Sequence, residues 1–322
     1  ITGGTFKNLC TRGTAWTVRA TNAAAGATKV SGGTFNKSVS ESYCADGFIP
    51  TKNADGTYDV KEGKYVAKSD TAKEKYDTLQ AAIKATSKGK TVTLLTDVTE
   101  NVEISKGKRV TLDLNGYTLN GGTGTAKAAL TNYGTITIKD SSADQAGTIK
   151  RDDNGITGET SYYVIDNHGT MTIEGGNVIN NSGYEQANPF GSMVGSSLIR
   201  NGENDGGATL NITGGKLEQK NFIAIKNSAL GTLHVTGGTI TSKHSAIQNW
   251  FVANITGGKI NGQLWTDAYI AGESVGETKI GGDATFTGEI VMDVTGSVAP
   301  TLAINGGNLN VTNWRITSAA AN

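Results

Sequence analysis

Acidic and aromatic residues gather in two segments of this chain. Residues 139–163 hold Asp140, Asp144, Asp152, Asp153, Tyr162 and Tyr163, and residues 179–197 hold Tyr184, Glu185 and Phe190. An aromatic ring can stack on the apolar face of a sugar while a carboxylate accepts its hydroxyls. These nine residues are therefore the candidate glycan-binding edge. Cleavage of a glycan asks for more. A hydrolase needs two carboxylates flanking the scissile bond, roughly 5 to 9.5 Å apart. The acids show no such register. Asp166 stands before Asn167, and the equivalent positions elsewhere are Thr131, Arg200, Lys226 and Gln248. That mixture reads as a solvated strand face, so no catalytic residue is assigned. Calcium has one weak candidate, Asp152-Asp153-Asn154-Gly155, but the EF-hand spacing is missing and Asn-Gly reads as a turn. His168, His234 and His244 sit at unrelated positions, and no cluster has metal-ligand spacing. No cofactor or metal is expected.

The elements that must position these residues come from a repeat. An aliphatic residue, a polar residue, Gly-Gly, a polar residue and an apolar residue recur at Ile1–Phe6, Val30–Phe35, Ile173–Val178, Ile212–Leu217, Val235–Ile240, Ile255–Ile260 and Ile304–Leu309, with a degenerate copy from Ile280. The later copies are about 20 to 40 residues apart, the period of a solenoid. Before each Gly pair the chain alternates, as in Thr170-Met171-Thr172-Ile173, which predicts a strand with one buried face. Glycine then permits the corner.

A second phrase, aliphatic-x-Asn, runs in phase with the first and ends at Asn132, Asn167, Asn201, Asn227 and Asn249. Asparagine suits a tight turn, and stacked asparagines can bond one another. The spacing predicts a structural Asn ladder and three short strands per coil. Stacked coils then give an all-β chain of three parallel sheets around an apolar axis, a parallel β-helix. The insertions 139–163 and 179–197 are expected at the same place in successive coils, side by side on one edge.

One segment departs from this pattern. Tyr76, Leu79 and Ile83 have helical spacing, Thr71 and Glu74 form a capping box, and Gly89 is a stop signal. The prediction is an amphipathic helix over 71–88, four to five turns long, closing the end of the axis. Before it, Phe48–Pro50 and Thr57–Val60 flank Asp55-Gly56, a hairpin signal. Residues 1–60 thus read as the terminal coils and closing hairpin of an upstream β-helix, and 61–322 as a helix-capped β-helix. The chain opens inside a repeat, as an excised or processed piece would.

Composition narrows the partners. Lys+Arg and Asp+Glu are both 29, so the net charge is zero, which argues against nucleic acid and anionic membranes. No run of 18 apolar residues predicts a membrane span. Glycine is high at 44 and proline low at 3, favouring tight turns over collagen or linker. Cys10 and Cys44 are the only cysteines. They read either as a disulfide of an exported protein or as two isolated buried thiols. Trp250, Trp265 and Trp314 read as packing in the later coils.

The helix followed by Thr91–Leu95 and Val110–Leu119 resembles the start of pectin-lyase-like right-handed parallel β-helix proteins. The Gly-Gly coils, with Ser42–Phe48 and Asp55-Gly56-Thr57-Tyr58, resemble repetitive adhesin-like surface proteins of Gram-positive gut-type bacteria. The resemblance implies a right-handed β-helix at the bacterial cell surface, outside the cell. It implies a non-catalytic spacer or adhesin that presents a loop edge to glycans or host surface proteins. Two alternatives stand beside it. One is a polysaccharide lyase or glycoside hydrolase. The other is a head-to-tail fibre protomer or phage spike-like protein that self-associates through its ends.

Overall fold

Alternation in the sequence becomes inside and outside in the structure, a computed structural model. It describes residues 1–9, 18, 29–71, 74–121, 127–151, 163–180, 197–203, 206–220, 222–268, 275–295 and 297–319. The main body is a stack of coils held by three parallel ladders.

The first ladder contains the aliphatic-x-Asn strands Val102–Ile104, Leu130–Asn132, Ile165–Asn167, Ile199–Asn201 and Ile225–Asn227 in exact residue-to-residue register. The second runs from Lys90–Leu94 through Arg109–Asp113, Thr135–Lys139, Thr170–Ile173, Ala208–Ile212, Gly231–Val235, Val252–Ile255 and Glu277–Ile280 to Thr301–Ile304. The third contains Val98–Thr99, Thr118–Asn120, Thr148–Arg151, Asn177–Asn180 and Lys216–Gln219. At Thr239–Asn249 one long strand joins the third and first ladders. Lys259–Asp267, Thr285–Thr295 and Asn308–Ala319 continue in the same way.

Ile173, Ile212, Val235, Ile255 and Ile280 stand one above another in the second ladder. All five are buried, and they belong to one continuous apolar core running from the helix to Phe286 and Ile290. Burial of this column is the main term holding the stack, since each apolar side chain contributes about 1.5–3 kcal/mol when removed from water. The last coil leaves Trp314 48% and Ile316 72% exposed.

The five asparagines form a continuous hydrogen-bonded ladder. Asn132, Asn167, Asn201 and Asn227 each donate Nδ2 to the Oδ1 of the next asparagine at 2.7 Å. The same amides also donate to backbone carbonyls of the adjacent coil, Thr170, Thr209, Thr232 and Val252. All five are fully buried. Their burial carries no polar penalty because every Nδ2 and Oδ1 has a partner.

The helix is shorter than its sequence pattern predicts. It covers Leu79–Ala85, about two turns, while Lys75–Tyr76 pairs as a strand with Ala67–Ser69. Thr78, not Thr71, is the N-cap, and its hydroxyl accepts from Ala81 N. The Glu100 carboxylate accepts from Leu79 N and Gln80 N, so a neighbouring coil supplies the missing cap. Thr71 instead accepts from Ser87 N at the far end. Leu79, Ala82 and Ile83 still close the apolar axis.

Residues 1–9 and 29–62 build a separate four-stranded sheet. Thr2–Phe6 pairs parallel with Gly32–Phe35, as successive coils would, and the hairpin Phe48–Lys52 with Tyr58–Glu62 closes it. The hairpin runs past residue 60 to Glu62. Val30, Phe35, Val39, Cys44 and Val60 form its own small core. Cys44 is a free buried thiol, its Sγ donating to Ser40 O, and burial pushes its pKa up. Cys10 lies outside the described residues.

Candidate functional site

The insertion expected at 139–163 is not one loop. Lys139 ends a second-ladder strand and Thr148–Arg151 belongs to the third ladder, so 140–147 is the corner between them. In the sequence, 152–162 and 181–196 alike fall between a third-ladder strand and a first-ladder strand. Asp140 and Asp144 therefore stand at a different corner from Tyr163, which precedes the first-ladder strand Ile165–Asn167. Asp152, Asp153, Tyr162, Tyr184, Glu185 and Phe190 lie outside the described residues.

Asp140 is part of the corner's frame. Its Oδ1 accepts from Gly116 N at 2.9 Å and Ser142 N at 3.1 Å, and its Oδ2 accepts from Gly147 N at 2.6 Å. Burial works against its charge, but the donors on Ser142, Gly147 and Gly116 outweigh it and hold its pKa below the ordinary carboxylate value. Asp144 is exposed and accepts only a long bond from Ala146 N, 3.3 Å. Neither acid reaches the corner that Tyr163 occupies.

At Tyr163 the structure assembles a different set of groups. Asp166, Arg200, Lys226 and Gln248 occupy one register position of the first ladder, and Trp265 continues it. This column is not a solvated face. Asp166 and Gln248 are 3% exposed and Lys226 is 9% exposed. The Arg200 guanidinium lies over the Tyr163 ring at 4.8 Å, and Lys226 Nζ lies 5.5 Å from the Trp250 ring centroid.

Arg200 grips Asp166 with two parallel bonds, Nε to Oδ1 at 2.7 Å and Nη2 to Oδ2 at 2.6 Å. Its third nitrogen, Nη1, donates to Glu203 Oε1 at 2.6 Å. Burial opposes the guanidinium charge, yet the Asp166 bonds raise its pKa further, so Arg200 stays charged. His168 Nε2 lies 3.2 Å from Asp166 Oδ2, and its ring stacks on Tyr133 at 4.9 Å.

Two groups here titrate away from their usual range. Burial, and then the Arg200 charge, push the Lys226 ammonium down to about 8. Burial, and then the Asp293 charge, push the Asp267 carboxyl up to about 6, although Trp250 Nε1 donates to its Oδ2 at 2.9 Å. Gln248 Oε1 is buried without a hydrogen-bond partner. Buried polar groups with shifted pKa values beside an aromatic ring single out this column as the candidate site.

Sequence reasoning reads Asp166, Arg200, Lys226 and Gln248 as one column but misses its burial, and it assigns Trp250 no role. The available signal is Trp250, one residue past the Asn249 ladder position, together with Asp267 at the end of the long strand Lys259–Asp267. Among the described residues no group of three or more His, Cys, Asp or Glu is placed to hold a metal. Among them also, no helix is long and apolar enough to cross a membrane. Comparison with protein families, with curated proteins and with solved structures gives no significant match.

Proposed function

We propose that this chain is a non-catalytic β-helix module of an exported bacterial surface protein, a rigid spacer whose first-ladder face binds a glycan. One observation carries the reading: Arg200 holds both Asp166 and Glu203 beside the Tyr163 ring, and Lys226 on the next coil lies over the Trp250 ring. Arg200 occupies both Asp166 oxygens and one Glu203 oxygen, so these acids serve to hold the guanidinium in place rather than to attack a sugar. Rings, a partly neutral lysine and a partly protonated carboxyl remain to stack on a sugar and exchange hydrogen bonds with it. The surface setting rests on the resemblance of the Gly-Gly coils and Ser42–Phe48 to adhesin-like proteins. The stiffness of the spacer follows from the unbroken Asn ladder and core. A glycan array tests the reading. Binding should fall at least tenfold in Trp250→Ala and when 152–162 and 181–196 are shortened. A chain that binds no glycan and no host surface protein is a plain stalk.

A second reading has its own observation. Lys226 near 8 and Asp267 near 6 flank Trp250, and such a pair can exchange protons near neutral pH. That favours a polysaccharide lyase or glycoside hydrolase on the same face. Incubation with uronic-acid and neutral polysaccharides, with and without calcium, decides it. New reducing ends or unsaturated products that disappear in Lys226→Met support catalysis, and an unchanged panel removes it.

A further inference from the structure

The N-terminal sheet and the helix cap are tied across a gap. Tyr65 Oη donates to Pro50 O at 3.0 Å, Lys75 Nζ pairs with Glu41 at 2.8 Å, and Lys61 Nζ pairs with Asp77 at 2.9 Å. Between these ties lies a cleft of about 660 Å³, within the usual range for a ligand site. It is far from the Arg200 column in the chain and shares no residue with it.

The lining has a definite chemistry. Tyr58, Tyr65 and Tyr76 bring three rings to one cavity. Burial raises the Tyr65 hydroxyl and pushes that of Tyr76 up to about 12, so both stay neutral at any physiological pH. Glu41 and Lys75 neutralise each other, as do Asp77 and Lys61. Glu74, which accepts from Tyr76 Oη, and Lys52, 6.0 Å from the Tyr58 ring centroid, remain as one charge of each sign. A strongly anionic ligand would need a surplus of cations, and a cationic one a surplus of acids. The balance leaves neither.

We propose that this cleft binds a short neutral oligosaccharide, its rings stacked on the tyrosines and its hydroxyls bonded to Glu74 and Lys52. The proposal is independent of the face around Trp250 and stands whether or not that face binds sugar.

The test uses the full chain, titrated by calorimetry against neutral tri- and tetrasaccharides of glucose, galactose, mannose and N-acetylglucosamine, against a uronic-acid tetrasaccharide, and against a tetrapeptide mixture. Saturable binding to a neutral sugar is expected, weakened at least tenfold in Tyr58→Ala. Thermal melting checks that this variant folds. If it does not, Lys52→Ala and Asn53→Ala take its place. Hydroxyl-radical footprinting of the complex should protect Tyr58 and Tyr76. Protection of Trp250 alone overturns this proposal while leaving the face reading intact. So does binding confined to the uronic-acid sugar or to peptide, binding indifferent to Tyr58→Ala, or no saturable neutral sugar up to about 10 mM.

Discussion

The bend from the second ladder to the third is made of glycine pairs in the later coils and of aspartates in the coils of Arg109–Asp113 and Thr135–Lys139. In a glycine pair the two residues serve different ends. The first lets coils approach. A Cβ on Gly214, Gly237 or Gly257 would stand 2.1, 2.2 or 2.3 Å from a carbonyl oxygen of the preceding coil. The second turns the chain, with φ of 78°, 76° and 79° at Gly215, Gly238 and Gly258. In the aspartate corners a carboxylate gathers the backbone donors instead. Asp113 Oδ1 accepts from Asn115 N and Ser141 N, and Asp140 accepts from Gly116 N, Ser142 N and Gly147 N. The same bend thus fails in two ways: the glycine corner by added volume, the aspartate corner by lost charge.

Added volume gives the largest effect. Gly237→Val places a branched side chain against the Thr213 carbonyl, which is backbone and cannot rotate away. The expected loss is about 3–5 kcal/mol in urea unfolding, with no pH dependence from pH 3 to 8. A loss under about 1 kcal/mol would mean that the coils slide apart easily, and that close stacking is not why the first glycine is there.

Asp140→Ala comes next. It strands three backbone donors that the carboxylate now satisfies, for an expected loss of about 2–3 kcal/mol at pH 7. The folded pKa lies below its unfolded value of about 3.9. The carboxylate therefore stabilises the fold above pH 4 and loses that contribution as pH falls through the folded value. The gap between wild type and Asp140→Ala should close on acidification, while the Gly237→Val gap stays flat. A gap that persists unchanged at pH 2 would make Asp140 a packing residue and erase the contrast.

Asp267 titrates in the opposite sense. Its folded pKa, about 6, lies above the unfolded value of about 3.9. Its protonated form stabilises the fold below pH 4, and that contribution is lost as pH rises through 6. Asn keeps an acceptor for Trp250 Nε1 and removes the charge. Asp267→Asn should therefore stabilise the fold by about 1–2 kcal/mol at pH 8 and by nothing measurable at pH 4, after allowance for partial solvent screening. Equal melting curves at pH 8 would mean that water reaches the carboxyl and that this part of the face is open.

The ladders are legible in the sequence because alternation, glycine pairs and aliphatic-x-Asn are local patterns that repeat. The helix is legible through Leu79 and Ile83, but its start is not. Thr71 and Glu74 imitate a capping box, while the true first-turn acceptor, Glu100, lies about twenty residues away in the chain. The aspartate corner is illegible for a related reason. Asp140 looks like a loop acid until Gly116 N, one coil back, is seen to donate to it. The column at Asp166, Arg200, Lys226 and Gln248 is legible as a register but not as a buried one. Alternation points those side chains outward, and the contacts of Arg200 with Tyr163 and of Lys226 with Trp250 lie outside the repeated pattern.

The smallest predicted effect separates two acids only four residues apart. Asp144 shares the corner 140–147 with Asp140, yet it is exposed and makes one 3.3 Å bond to Ala146 N. An exposed, long bond of this kind contributes little, because water replaces it at almost no cost. Asp144→Ala should change stability by less than about 0.5 kcal/mol at any pH between 3 and 8. It should also leave any binding at the proposed glycan face as it is, since Asp144 stands at the other corner from Tyr163. A tenfold loss of binding in Asp144→Ala would reverse this. It would make the aspartate corner a recognition surface as well as a bend, and would move the ligand from the first-ladder face toward the second corner.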